Sequence, residues 1–154
     1  MITIRNAINE KIVLASVVNE IVCVSRRMAQ IARELETDDE YRNVRDLVSL
    51  VSTAMQEEAE ILRGVEDSIP EDSRYIRPMG IVNTIYEDWF HILSVCLNQL
   101  KSCVLDLLTV YAAMMRRGDL MLAEVVYASS ERIDGWANEV EIVIVSLTTV
   151  CDEE

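Results

Sequence analysis

The sequence predicts an all-α fold, an antiparallel up-down-up-down four-helix bundle with long helices. Three observations carry that expectation. Apolar residues recur at 3-4 spacing along four separate stretches, the 3.5-residue repeat that left-handed, nearly antiparallel helix packing requires. The 154 residues include only four glycines and two prolines, too little turn material for a β-sandwich. The breaks between the four stretches are short, and short connections make consecutive helices antiparallel neighbours.

The first helix is expected over roughly residues 5–36, where Leu14, Val17, Ile21, Val24, Met28, Ile31 and Leu35 form an unbroken series. Thr37-Asp38-Asp39 then supplies N-cap chemistry and first-turn acids for a second helix over roughly 39–67. Its series reads Val44, Leu47, Val51, Ala54, Glu58, Ile61, Val65, with a carboxylate where an apolar residue belongs. Ser68-Ile69-Pro70-Glu71-Asp72-Ser73 is the only extended turn cluster, and Pro78 suits the first turn of a third helix over roughly 78–117. That helix carries the longest series: Val82, Tyr86, Trp89, Leu93, Cys96, Leu100, Cys103, Leu107, Val110 and Met114. Arg116-Arg117-Gly118-Asp119 places cations at a helix end, then a left-handed glycine, then an N-cap. The fourth helix, roughly 119–151, follows Ala123, Val126, Ser130, Ile133, Ala137, Val140, Ile144, Leu147 and Cys151. Val140–Cys151 is rich in β-branched residues, but the series runs through it, so it is read as helix. All of residues 1–154 are expected to form one domain.

The chain has 14 Lys+Arg against 27 Asp+Glu, a formal charge of -13, which argues against a nucleic-acid backbone or an anionic membrane surface as partner. It is also 51% hydrophobic, which excludes disorder. Ile12–Val24 and Val140–Cys151 are its most membrane-like stretches, and each falls short of the roughly 18–20 residues a spanning helix needs. MITIRNAINEK has no basic region followed by an apolar one, so a soluble cytoplasmic protein without membrane insertion is expected. None of Cys23, Cys96, Cys103 and Cys151 lies in a C-x-x-C pair. Cys96 and Cys103 are about 10 Å apart along one helix and cannot bridge each other. All four read as small buried hydrophobes in a reducing compartment, an inter-helix disulfide being the alternative.

Chemistry-bearing residues are few. The lone histidine lies in Glu87-Asp88-Trp89-Phe90-His91, where Asp88 and Glu87 are three and four residues from His91 and share its helix face. That is half of a di-iron carboxylate motif; the same residues also fit a polar stripe of Glu87, His91, Ser94, Asn98 and Lys101. Glu58 needs a cation, a metal, a polar partner or a route to water. The antiparallel turn places it near Val18, Asn19 and Glu20, and rotation toward a solvent edge is the expected solution. Acids shared between helices would alternatively bind Mg²⁺, as in all-helical nucleotide pyrophosphohydrolases, using Glu57, Glu58, Glu60, Glu87 and Asp88. Those enzymes carry Glu-Glu-x-x-Glu and Glu-x-x-Asp; Glu57-Glu58-Ala59-Glu60 is one residue short, and Glu87-Asp88-Trp89-Phe90 lacks the final acid. Glu124, Tyr127, Glu131, Asp134, Asn138 and Glu141 form a solvated stripe on the fourth helix. No glycine-rich phosphate loop and no Ser or Cys with a base partner other than His91 is present.

Two stretches resemble the PhoU-like superfamily, which includes accessory proteins of Pit-type phosphate transporters. One runs through Ala54–Ile61, Ile69–Ile76 and Thr84–Phe90; the other runs from Met115 through Ala123-Glu124-Val125 to Ile133-Asp134. The resemblance implies a helical bundle in phosphate transport or its regulation, with peripheral transporter contact and a divalent or polynuclear metal site. The family's metal motif is an acid, three residues, then Asp. Here the corresponding pairs are Gln56 and Glu60, Thr84 and Asp88, and Ser130 and Asp134, so the first acid is replaced by a neutral residue each time. Glu20, Glu58, Glu60, Asp88, His91 and Asp134 are the metal-ligand candidates.

From Trp89 to Met115 only Lys101 and Asp106 are charged, and from Ile12 to Ser25 only Glu20. One bundle face cannot bury so many apolar side chains. The chain is therefore expected to bind without catalysis, as a homodimer or with a protein partner, through helices one and three. The Mg²⁺-dependent hydrolase and a structural or assembly protein are the alternatives.

Overall fold

The computed structural model describes residues 4–68 and 79–152, with side chains described at 11–68 and 90–145. Four helices follow in order: α1 (Ile4–Glu34), α2 (Arg42–Ser68), α3 (Met79–Arg117) and α4 (Leu120–Asp152), with one 3-10 turn at Asp39–Tyr41 before α2. Among the described residues there is no strand, and Val140–Cys151 lies in α4. Each helix packs on the next and α4 closes back onto α1, which is the expected antiparallel bundle. The turn cluster at 69–73 and Pro78 lie outside the described residues, as do the side chains of Val82, Tyr86, Trp89, Leu147 and Cys151.

The series in α1, α3 and α4 are the core. Leu14, Val17, Ile21, Val24, Met28, Ile31 and Leu35 are all buried, as are Leu93 through Met114 at their 3-4 spacing and Ala123 through Ile144. The second series is displaced by one residue. The buried stripe of α2 is Val48, Val51, Met55, Glu58, Leu62 and Val65, while Val44, Leu47 and Ala54 are half-buried and Ile61 is 40% exposed. Ser52 and Ala59, seven residues apart, are buried on the same side of α2, and residues this small let a neighbouring helix approach closely. The Ser25 and Ser52 hydroxyls each donate to the other residue's backbone carbonyl, both at 2.9 Å, at the point of contact.

The two tight turns lie at the same end of the bundle and are tied together. Asp38 caps the 3-10 turn by accepting from the Glu40 backbone N–H at 3.0 Å. Gly118 adopts φ 80°, where any side chain would be strained, and ends α3 as the sequence indicates. Asp119 then reaches across to accept from the Tyr41 hydroxyl. Arg117 lies 4.0 Å over the Tyr41 ring and pairs with Glu40 at 2.6 Å and Asp38 at 3.5 Å.

Burial, followed by the bond to Asp119, pushes the Tyr41 hydroxyl up to about 12. The folded chain therefore keeps that proton at a pH where the unfolded chain, near 10, has lost it. Its contribution is complete below pH 10 and disappears as pH rises from 10 to about 12. Tyr41→Phe is expected to cost about 1–3 kcal/mol at pH 7, since it also orphans Asp119. Urea titrations at pH 7 and 11.5 should show that difference shrinking at the higher pH.

Candidate functional site

The sequence candidates do not converge. Glu20 points toward α4, where its carboxylate accepts from the Trp136 indole N–H, beneath which Arg132 stacks 5.6 Å from the ring centre. Glu60, His91 and Asp134 are exposed, and the Asp88 side chain lies outside the described residues. Among the described residues no three His, Cys, Asp or Glu side chains are grouped to hold a metal ion. Of the acids expected to serve a hydrolase, Glu57 and Glu60 face solvent, Glu58 alone is interior, and Glu87 joins Asp88 outside the described side chains. Ser130, where the family's first acid would stand, is buried and donates to the Tyr127 carbonyl at 2.6 Å, while Asp134 is exposed.

Glu58 departs most from expectation. It is 4% exposed, so the solvent-edge rotation does not occur. The level is as expected: Glu58 lies six residues beyond Ser52, and Asn19 six before Ser25, its cross-helix partner. The carboxyl nevertheless faces α3, where the Cys96 thiol is its hydrogen-bonding neighbour. Oε2 has no partner among the described residues. Burial raises the Glu58 carboxyl above its ordinary range, the Cys96 bond opposes that, and Glu57 adds to it. The same burial pushes Cys96 up strongly and Cys103 up to about 12. Both thiols are free, buried and protonated at neutral pH, which suits packing and not nucleophilic chemistry. Cys23, expected inside, is exposed.

The second feature is the outer face of α3. Val95 is 47% exposed, Leu105 66% and Met115 43%, although Leu93, Cys96, Leu100, Leu107, Val110 and Met114 on the same helix fill the core. Phe90–Arg117 is the one described stretch long and apolar enough to cross a membrane; neither stretch singled out from sequence meets that test. Helix α1 differs from expectation. Outside the core it presents Asn19, Glu20, Cys23, Arg26 and Arg27, with Ile12 its one exposed large apolar side chain among the described residues, so the apolar excess belongs mainly to α3.

Beside that face, between α2 and α3, lies a groove of about 280 Å³. Its apolar lining is Leu50, Val51, Ala54 and Cys103, and its lining also includes the carboxylates Glu57 and Asp106 and no cation. A second groove, of about 310 Å³ between α1 and α2, carries Arg33 and Arg45 beside Glu36.

No family model matches the chain, and no curated protein or solved structure is significantly similar to it.

Proposed function

We propose that this chain is a non-enzymatic binding bundle that works as a homodimer, joined through the outer face of α3. The observation that carries this reading is the exposure of Val95, Leu105, Leu108 and Met115 on a helix whose other side already fills the core. A soluble monomer rarely leaves so many large apolar side chains along one helix face in water. The separation of Glu20, Glu58 and Asp134 gives a catalytic or metal-centred reading no comparable support.

Sedimentation equilibrium tests it. A dimer of the 17.5 kDa chain is expected at micromolar concentration. Leu105→Glu should convert it to monomer with its helix content intact, because Leu105 is 66% exposed and takes no part in the core. A wild-type monomer, or flotation of the chain with neutral phospholipid vesicles through this face, would overturn the proposal. The seven buried seam residues of α3 argue against a membrane, since spanning would strip them from α2 and α4.

The narrower version is a PhoU-like accessory or regulator of a phosphate transporter. Its support is the sequence likeness around residues 54–90 and 115–134. Retention of the purified dimer by a Pit-type transporter in detergent, and not by an unrelated transporter, is the expected result on that version.

A further inference from the structure

We infer that the two copies pair in parallel, each Lys101 entering the other copy's acidic groove; this rests on the dimer proposed above. The outward stripe of α3 is a heptad seam in its own right. Val95, Ser102 and Thr109 occupy one seam position and Asn98, Leu105 and Ala112 the other, all exposed. Ser102, Thr109 and Ala112 are small enough to let two helices approach closely.

The two charges of this stretch sit on opposite flanks of that seam. Asp106 lies on the flank toward α2, where it lines the groove with Gln99, Ser102 and Glu57. Lys101 lies on the other flank, which continues through Leu108 to Tyr111, whose ring packs tilted against Tyr127 of α4 with centres 5.1 Å apart. Lys101 is exposed and has no ion pair among the described residues.

The orientation follows from symmetry. A two-fold axis along the helices brings the Lys101 flank of each copy against the Asp106 flank of the other. Lys101 then meets the residue five positions further on in the second copy, the flanking spacing of parallel two-stranded coils, and that residue is Asp106. Both cations are matched at once, each by a groove holding Asp106 and Glu57 and no cation. An antiparallel pair does the reverse. It lays groove against groove, collecting four carboxylates on one side, and turns the lysine flanks toward each other. Parallel pairing also brings the two Arg116 side chains, exposed in the last turn of α3 and next in the series after Thr109, to the same end of the dimer.

Cross-linking distinguishes the geometries. In a Cys23→Ser, Cys151→Ser background, Val95→Cys and Ala112→Cys are each expected to form a disulfide-linked dimer on mild oxidation. A dimer that links only when the two variants are mixed is antiparallel, which overturns this inference and leaves the proposed dimer standing. A chain that stays monomeric overturns both. Charge exchange gives an independent readout: Lys101→Asp or Asp106→Lys alone should weaken dimerisation about tenfold, because two contacts change by symmetry. The double variant should recover wild-type affinity; failure to recover counts against the pairing.

Discussion

Leu62→Ala is expected to cost about 2–5 kcal/mol, and Ile61→Ala, one residue away, under about 1 kcal/mol. Leu62 is fully buried and Ile61 is 40% exposed, so only the first truncation leaves a cavity the surroundings cannot collapse to fill. Urea denaturation of the two variants measures the rotation of α2 directly. Equal losses, or a larger one at Ile61, would place the α2 seam where its apolar pattern alone puts it. Met55→Ala against Ala54→Gly is unsuitable as a control, because glycine adds a backbone penalty of its own.

Glu58→Gln is expected to stabilise the fold at neutral and alkaline pH, because the amide takes the carboxyl's place without the charge that burial penalises. The sign comes from linkage. Because the folded-state carboxyl is raised above its value of 4.5, the folded chain binds a proton the unfolded chain has released. Stability is therefore fully present below pH 4.5 and falls as pH rises from there through the folded-state value. Glutamine keeps the neutral shape and removes the slope. Melting temperatures of the two proteins should coincide near pH 4 and separate as pH rises toward 8, the glutamine variant melting higher. Taking the difference between the two proteins removes the general self-repulsion of a chain at -13. A wild type as stable as the variant at pH 8 would mean the carboxylate finds a partner, and Glu58→Leu would then be strongly destabilising instead of tolerated.

The series read in α1, α3 and α4 are buried throughout their described side chains, and the rival apolar positions in α3, Leu97, Val104 and Tyr111, are half-buried beside that seam. In α2 two series overlap. They share Val44, Val51, Glu58 and Val65 and differ only in Leu47, Ala54 and Ile61 against Val48, Met55 and Leu62. Apolar spacing cannot choose between them, since both sets are apolar. Packing chooses: Ser52 meets Ser25 of α1, and a serine contact of that kind leaves no mark on a hydrophobic pattern. Glu58 belongs to both series, so no rotation between them frees it to solvent. Its neighbour Cys96 and the reach of Asp119 to Tyr41 depend on how the hairpins face each other, which spacing within one helix does not encode. The apolar excess of α3 was visible, but the similar run in α1 was not distinguishable from it until burial assigned that run to the core.

The ties between the turns bear on the order of folding. The hairpins α1–α2 and α3–α4 are built from contacts close in sequence, whereas Tyr41 and Asp119 are 78 residues apart. Local hairpins assemble quickly, and loop closure over such a distance comes at greater entropic cost. The Tyr41–Asp119 contact is thus expected after the transition state, acting as a latch that slows escape from the native state without hastening arrival there.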